Sequence, residues 1–300
     1  MKTIMDFDEY LKQNSLARIS LGQSGAAVHR LRDGKIAKHV KRAQLSDEIL
    51  WEKYRRESLF YSRFPAEEYS FVPQVYTNLL REDELLLVLR EYRPLRQEEL
   101  LESSVLGKVL DALVQIHALP VPDFATGQTP RAVHYSAESL AACREGWLQV
   151  LLEHPNKFSL APLDRIQDHI NRVNDRLFAP LLRFVHGDFH CQNLLARDHG
   201  RILVCDWQNC GSGEATGDLA FLLSRLSADG FPLDEDILLS EYCRRAKLND
   251  PRQLQAQMRL ASLNTAYLFW HEYLHGSSPE RVGEIYHKMC ADMDFLLELC

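Results

Sequence analysis

Three polar side chains at fixed spacing most constrain the fold of this chain. In "HGDFHCQN", Asp188 and Asn193 lie five residues apart, and "ILVCDW" places Asp206 at the end of the next apolar run. The segment between them, "NLLARDHGRILV", predicts a strand, a glycine-containing turn and a second strand. Such a hairpin would return Asp206 to Asn193, so the sequence predicts one site built from all three residues.

The chemistry of these side chains suits phosphoryl transfer. The order H-x-D-x-x-x-x-N followed by an aspartate at a strand end is that of the catalytic apparatus of kinases. Asp188 would orient an attacking hydroxyl and accept its proton. Asn193 and Asp206 would supply oxygen ligands for Mg²⁺, which neutralises charge on the phosphates. His186 and Gly187 would form the loop that holds Asp188, the histidine through hydrogen bonds and the glycine through a tight backbone.

Length and composition agree with a two-lobed enzyme. Of the 300 residues 46% are hydrophobic, which is enough for one large core or two smaller ones. The net charge of -7 argues against a nucleic-acid partner and favours a cationic or neutral one. Acidic residues interrupt any N-terminal signal peptide, and no apolar run reaches the roughly 18 to 20 residues of a membrane span, so we expect a cytoplasmic protein without membrane contacts. The seven cysteines include no C-x-x-C pair, which predicts reduced, buried thiols.

The first third of the chain has mainly strand signals around one long helix. "AAVHRLRDGKIAKHV" predicts a hairpin that turns at Asp33-Gly34, a dipeptide typical of such turns. Residues 47–63 predict a helix, and "VPQVYTNLLREDELLLVLREY" predicts a second hairpin.

Beyond Pro94 the pattern becomes mostly helical. Helical spacing recurs in three segments and again in the C-terminal region: residues 103–118, 136–154, 162–178 and 218 onward. The predicted fold class is therefore α+β. We expect a small β-rich lobe over residues 1–93 that binds nucleotide, and a larger helical lobe over residues 94–300 that binds the acceptor.

The paired segments "HGDFHCQNLL" and "VCDWQNCGSGEATGDLAFLL" resemble the aminoglycoside phosphotransferase and choline kinase-like family, which has the bilobal protein-kinase fold. In that family the first aspartate is the base, and the asparagine and strand-end aspartate hold magnesium. The resemblance therefore gives Asp188, Asn193 and Asp206 these roles. It implies an ATP-dependent (or GTP-dependent) and Mg²⁺-dependent phosphotransferase whose acceptor is an aminoglycoside, a choline-like amine, a sugar or an amino-acid alcohol. Asp218, in "TGDLA", also matches a family aspartate, and we interpret it as a helix N-cap.

A kinase site also needs a lysine for the nucleotide phosphates and a helix carboxylate that holds it. In the strand "KIAKHV", Lys38 shares one face with Ile36 and Val40. In the helix that follows, Glu57 lies on the apolar stripe formed by Leu50, Tyr54, Tyr61 and Phe64. Because a charge directed at a core needs a partner, we predict a Lys38–Glu57 ion pair. In the alternative, Lys38 extends to solvent and Glu57 pairs with a neighbouring arginine.

Two further segments are candidates for nucleotide contacts. The loop "LGQSGAAV" places Ser24 and Gly25 where a phosphate-covering loop would lie, although it lacks the G-x-G-x-x-G pattern. The strand "LLLVLREY" leads into the lobe boundary, so the resemblance assigns adenine binding to the backbone of Arg90, Glu91 and Tyr92.

The chain departs from its resembled family near the metal ligands. Cys191 and Gln192 stand where relatives commonly have proline and a small residue, and Gln208 replaces an acidic residue often seen after the metal-binding aspartate. Neither change removes a ligand, so we expect activity, with a nucleotide-binding pseudokinase as the alternative. Asp206 is followed by Trp207-Gln208 and soon by "GDLA", which leaves no room for the activation segment of a protein kinase and favours a small acceptor.

A second histidine motif points to a different chemistry. "HEYLH", residues 271–275, matches the zinc-protease pattern H-E-x-x-H, and a zinc metallohydrolase is therefore retained as an alternative. Its usual continuation fails, because Ser278 and Arg281 stand at the positions of the further glycine and histidine. The resemblance instead assigns this region to the acceptor cleft. The side chains that would then contact substrate, or else pack in the core, are Trp270, His271, Glu272 and Tyr273, with His190 of the loop as a further candidate.

Overall fold

The computed structural model describes residues 6–19, 26–125, 134–177, 182–197 and 200–300. Five antiparallel strands form a sheet in the N-terminal part of the chain, in the order β1-β2-β3-β5-β4. Their bounds are Ser15–Ile19 (β1), Ala27–Leu31 (β2), Lys35–Lys41 (β3), Val75–Leu80 (β4) and Glu84–Arg90 (β5). Both predicted hairpins are confirmed. The first turns at Asp33 and Gly34, which have φ of 63° and 64° as the tight turn requires.

Helices cover both faces of this sheet. The predicted helix over residues 47–63 is confirmed as α2 (Glu48–Arg63), which packs Trp51 and Tyr54 on the face that contains Val40. The opposite face is covered by α1 (Phe7–Asn14), whose apolar side chains pack with Leu31, Ala37, Leu86 and Val88. The strand β3 is therefore buried on both sides, whereas the sequence pattern indicated one buried face.

Two small sheets follow and hold the loop of interest. The strand β7 (Leu182–Val185) pairs with β10 (Gly211–Glu214), and a three-stranded sheet has the order β6-β8-β9. The strands of the latter are Arg93–Pro94 (β6), Leu194–Arg197 (β8) and Arg201–Val204 (β9). The helices around them are Gln97–Leu100 (α3), Ser103–His117 (α4), Ala215–Ala228 (α7) and Glu235–Ala246 (α8).

The remaining elements are helices with their own core. They are Ala137–Leu152 (α5), Ala161–Leu177 (α6), Pro251–Thr265 (α9), a π-helical turn Ala266–Trp270, His271–Tyr273 (α10) and Pro279–Glu298 (α11). Ser136, Asp250 and Ser278 cap three of these helices, and a proline opens α9 and α11. Trp147, Tyr267 and Tyr286 are central in the core, and the Trp147 indole donates to the Tyr267 carbonyl oxygen at 3.1 Å.

By internal contacts the chain divides into two units. The first comprises Met1–Gly127 and Leu182–Ala246, and the second comprises Gln128–Leu181 and Lys247–Cys300. The predicted division into residues 1–93 and 94–300 stays a prediction. Within the described ranges, no helix is both long and apolar enough to cross a membrane. All seven cysteines are free thiols, and four of them are buried.

Candidate active site

The loop after β7 is held by its first histidine. His186 is fully buried, and its Nε2 lies 3.0 Å from the carbonyl oxygen of Cys205, which can only accept a hydrogen bond. Nε2 is therefore the protonated nitrogen, and Nδ1 accepts from the Asp188 amide at 3.3 Å. Burial lowers the pKa of His186, which agrees with a neutral ring. The predicted structural role of His186 is confirmed.

The next residue must be glycine. Gly187 has φ of 78°, and a Cβ at this position would collide with the carbonyl oxygen of Asn209. The tight backbone predicted at Gly187 is confirmed, and it brings the chain from β7 directly to Asp188.

A buried carboxylate fixes the backbone of the same loop. Asp218, 2% exposed, accepts from the backbone amides of His186 and Gly187, each at 2.8 Å, and from His117 Nε2 at 3.1 Å. His117 Nδ1 lies 2.6 Å from the hydroxyl of Tyr242. Burial alone would raise the pKa of Asp218. Its contact with His117 and its other hydrogen-bond donors instead lower this pKa below its usual value. Asp218 therefore remains charged and acts as an anchor.

The role of Asp218 in the structure differs from the role predicted from the sequence. The N-cap position of α7 is occupied by Glu214, and Asp218 lies inside the helix, so the N-cap interpretation is wrong. The histidine and tyrosine of the network were missed. A signal was available, because His117 falls on the apolar side of α4, where a polar ring needs a buried partner.

The candidate base lies at the surface of the loop. The Asp188 side chain is 29% exposed, and its Oδ1 is 3.7 Å from His190 Nε2. This contact lowers the pKa of Asp188 despite its partial burial, so the carboxylate is charged at neutral pH. The Asn193 amide nitrogen donates to the backbone oxygen of Asp188 at 2.8 Å and lies 3.3 Å from Oδ2. The pair therefore shares one rigid turn.

The hairpin β8–β9 brings the third side chain to this turn, as predicted. The amide of Cys205 donates to the Asn193 backbone oxygen at 3.0 Å, so Asp206 follows directly beside the loop. Asp206 adopts φ of 65° and ψ of 65°, a left-handed conformation that few residues other than glycine adopt. The next side chain holds this geometry, because the Trp207 ring stacks on Phe60 with centroids 3.7 Å apart.

The predicted ion pair of the N-terminal sheet is present. Lys38 Nζ donates to Glu57 Oε2 at 2.8 Å and also to Asp206 Oδ1 at 3.0 Å. Burial would lower the pKa of Lys38, but the two carboxylates raise it above its usual value. Glu57 is 2% exposed, and this burial raises its pKa to about 6 although Lys38 opposes the shift. Lys38 thus connects the sheet, the helix α2 and the strand end in one charge cluster.

The donor set fits a hard divalent cation. Asp206 Oδ1 is used by Lys38 and by Gln208 Nε2, the latter at 2.6 Å, and the Asn193 amide nitrogen is used by the loop. Asp206 Oδ2 and Asn193 Oδ1 accept no hydrogen bond from any other described residue. One carboxylate and one amide oxygen on a rigid hairpin are ligands that Mg²⁺ accepts, with phosphates and waters completing its shell.

The predicted adenine-binding segment is partly engaged within the protein. The amides of Arg90 and Glu91 donate to the carbonyl oxygens of Gln74 and Gly34, at 2.9 and 2.8 Å. The amide of Tyr92 donates to no backbone carbonyl of the described residues. Ser24 and Gly25, the predicted phosphate-loop residues, lie outside the described residues.

His190 lies beside the candidate base. Its Nε2 is 3.2 Å from the Asn193 amide nitrogen, and its ring meets Phe221 edge-on with centroids 5.6 Å apart. Phe221 is 38% exposed, so this side of the loop presents an aromatic ring next to the charged groups.

The other predicted acceptor residues belong to the helical unit. Trp270 packs against the core of that unit, and its ring lies 5.5 Å from the guanidinium of Arg281. Glu272 is exposed, and Tyr273 is 74% exposed. Packing therefore accounts for the tryptophan, while the other two side chains face solvent.

The second histidine motif does not form the helix that a zinc protease uses. The helix α10 ends at Tyr273, and His275 lies beyond it with its Nδ1 2.7 Å from Glu153 Oε1. The ring of His271 packs directly against Gly146 of α5. In the part of the chain that the structure describes, no three His, Cys, Asp or Glu side chains form a set suited to a metal ion.

Solved small-molecule kinases share this fold. A choline kinase from Cryptosporidium parvum Iowa II is 11% identical, with a TM-score of 0.52 over 97% of this chain and 94% of the other. The aminoglycoside phosphotransferase APH(2'')-Ib in its ADP-bound form is 18% identical, with a TM-score of 0.57 over 96% and 98%. An ethanolamine kinase from Plasmodium vivax is 10% identical, with a TM-score of 0.57 over 97% and 85%. The predicted α+β, kinase-like fold is confirmed.

A family match connects the fold with the site. No curated protein matches the sequence. The phosphotransferase enzyme family matches residues 15–260, a range that includes Lys38, Glu57, the loop with Asp188 and Asn193, and Asp206. The resemblance and the enzyme class predicted from the sequence are thereby confirmed, and the chain belongs to the phosphotransferase enzyme family.

Proposed function

We propose that this enzyme transfers the γ-phosphoryl group of ATP (or GTP) to a hydroxyl of a small molecule in a Mg²⁺-dependent reaction. The observation that supports this most is the charge cluster in which Lys38 contacts both Glu57 and Asp206 while the hairpin holds Asp206 against the Asn193 turn. Phosphoryl transfer depends on positioning and charge neutralisation, and this cluster supplies both.

Each residue of the cluster and of the loop beside it has a defined task. Asp188 accepts a hydrogen bond from the acceptor hydroxyl and takes its proton as the bond to phosphorus forms. A base with a lowered pKa suits this late proton transfer, because its first task is to orient the hydroxyl. Lys38 turns from Asp206 to the nucleotide phosphates while Glu57 keeps it in place. Asn193 Oδ1 and Asp206 Oδ2 would hold Mg²⁺, which supplies charge neutralisation at the phosphates.

The nucleotide base and phosphates have further proposed contacts. Tyr92 is the proposed hydrogen-bond donor to the base, since its amide is the one of the three predicted hinge amides without a backbone partner among the described residues. Arg90 and Glu91 would then contribute carbonyl oxygens, and the loop with Ser24 and Gly25 would cover the phosphates. The lobe boundary near Pro94 and a cytoplasmic location belong to the same proposal.

We propose an acceptor that has an amine as well as a hydroxyl. Structural relatives include kinases named for choline, ethanolamine and aminoglycosides, all of them amine-bearing alcohols. The net charge of -7 attracts cations over long range. Glu272 and Tyr273 face solvent and offer a carboxylate and an aromatic ring, two groups that bind ammonium ions. Both remain proposed acceptor contacts, and His190, which lies beside the base, is a separate candidate.

A panel of alcohols tests this function. ADP release is measured with aminoglycosides, choline-like amines, sugars and amino-acid alcohols, each at low and high salt. An amine-bearing alcohol should have the highest kcat/KM, and salt should lower this value more than for a neutral analogue of the same shape. A neutral or acidic preferred acceptor without a salt effect would contradict the cationic class. Tight nucleotide binding without turnover on any acceptor would instead indicate a pseudokinase.

A further inference from the structure

The two oxygens of the Asp206 carboxylate have different surroundings. Oδ1 accepts from Lys38 Nζ at 3.0 Å and from Gln208 Nε2 at 2.6 Å. A carboxylate oxygen has two lone pairs, so Oδ1 has none left for a metal while both donors are in place. Oδ2 meets no donor among the described residues, and the side chain is 39% exposed. Asp206 therefore offers one oxygen outward.

The two donors on Oδ1 differ in their freedom to leave. A nucleotide attracts the Lys38 ammonium to its phosphates, so this donor is lost on binding. Gln208 is 7% exposed, and its backbone oxygen lies 3.5 Å from the Arg56 guanidinium. It follows Trp207, which is fully buried against Phe60. The Gln208 donor therefore remains on Oδ1 when the site is filled.

The orientation of the Gln208 amide follows from the charge of its partner. Ionised Asp206 only accepts hydrogen bonds, so the amide must present its nitrogen to Oδ1. Its hydrogens carry partial positive charge and lie directly against this oxygen. A second cation at Oδ1 would meet these hydrogens, while a cation at Oδ2 would not.

We propose that Gln208 limits the nucleotide site to a single divalent cation by holding Asp206 Oδ1 in a hydrogen bond and leaving only Oδ2 as a metal ligand. This inference rests on the proposed function, since it concerns the metal that accompanies the nucleotide. Gln208 acts as a positioning residue for Asp206. An acidic residue at position 208 would reverse this arrangement and create a second set of anionic oxygens.

Metal stoichiometry tests the proposal without any turnover. Mn²⁺ is titrated into the protein saturated with a non-hydrolysable ATP analogue, and bound metal is counted from the free-ion electron paramagnetic resonance signal. Wild-type protein should bind one Mn²⁺ per nucleotide, and Gln208→Glu should bind two. Gln208→Leu also releases Oδ1 but adds no anion, so it should bind the first Mn²⁺ about tenfold more weakly, because Asp206 loses a charge-assisted hydrogen bond that orients it, and should bind a second Mn²⁺ more weakly than Gln208→Glu does.

A matched control separates added charge from position. Gln97 also donates its amide to an aspartate, the exposed Asp229, so Gln97→Glu adds the same charge beside the same side-chain type. This control should keep one Mn²⁺. Two Mn²⁺ in the wild type, or one in Gln208→Glu, would overturn the inference while the proposed function stands. No nucleotide-dependent Mn²⁺ in the wild type would overturn both.

Discussion

The chain contains two histidine-rich segments, residues 186–193 and 271–275, and their surroundings differ. In the first, His186 is fully buried and both of its ring nitrogens are bonded within the protein. In the second, His275 is exposed and pairs with Glu153 at the surface. A sequence motif therefore indicates a functional site when buried contacts from distant parts of the chain fix its backbone. The spacing of residues in the sequence does not by itself provide these contacts.

The backbone explains why the second spacing is not used. The H-E-x-x-H pattern places two histidines one turn apart only on a continuous α-helix. Here a π-helical turn, Ala266–Trp270, precedes the motif, and the α-helix ends at Tyr273. His275 thus leaves the face that His271 occupies. The first segment contains no α-helix, only a 3₁₀-helical turn at Cys191–Asn193, and its spacing works because Gly187 and the hairpin close the turn.

The largest effect is expected in the first segment. Asp188→Asn should lower turnover by about 10² to 10⁴-fold and leave nucleotide affinity nearly unchanged, because proton acceptance and hydroxyl orientation are lost. Steady-state kinetics with the best acceptor and calorimetry with nucleotide measure the two quantities. Wild-type turnover in this variant would remove Asp188 from the mechanism.

Loss of the hairpin carboxylate should break the link between metal and nucleotide. Asp206→Ala should abolish the tightening of ATP binding by Mg²⁺, a loss of about 10²-fold or more, since removal of a mere outer-shell partner already costs about 10 to 100-fold. Calorimetry with and without Mg²⁺ measures this tightening. Unchanged coupling in the variant would mean that the metal binds elsewhere.

The anchor under the loop should matter less than the loop itself. Asp218→Asn keeps the shape but weakens three buried hydrogen bonds, so we expect about 2 to 3 kcal/mol lower free energy of unfolding and about tenfold lower turnover. Denaturant titration and kinetics test this. Asp168→Asn, the same change at an exposed position of α6, should alter neither. Equal behaviour of the two variants would refute the anchor.

The buried ion pair predicts a pH dependence. Burial raises the pKa of Glu57 to about 6, above its usual value, so the carboxylate is charged above this pH and protonated below it. Nucleotide binding should weaken as pH falls from 7 to 5, by up to about tenfold, since each pH unit below the pKa of Glu57 corresponds to about 1.4 kcal/mol. Glu57→Gln lacks the titrating group, so this variant should bind nucleotide weakly at every pH and should not lose further affinity between pH 7 and 5. The same loss of affinity with falling pH in this variant would assign the pH dependence to another residue.

The smallest effect is expected in the second segment. His275→Ala removes only an exposed contact with Glu153, so nucleotide binding should stay within about twofold and the free energy of unfolding should fall by less than about 1 kcal/mol. Purified protein should retain no stoichiometric zinc after dialysis. Bound zinc that is lost in His275→Ala, together with peptide hydrolysis that disappears in Glu272→Gln, would overturn the comparison of the two segments.

Periodicity and spacing by themselves determined a large part of this protein. The strand and helix patterns brought Lys38 and Glu57 to buried faces, and burial of two opposite charges requires that they meet. The hairpin between Asn193 and Asp206 followed from local turn chemistry. These features are local or are forced by the need to pair a buried charge, so they can be read from the residues directly.

Only the tertiary structure decided which partners complete the site. His117 and Asp218 are 101 residues apart, and Lys38 meets Asp206 across 168 residues. The helix α1 buries the second face of β3, the face that contains Ala37, whereas the sequence pattern indicated only one buried face. Periodicity states that a face is buried but not by what, since the burial of apolar area has no direction, and a hydrogen-bond partner is chosen by the fold as a whole.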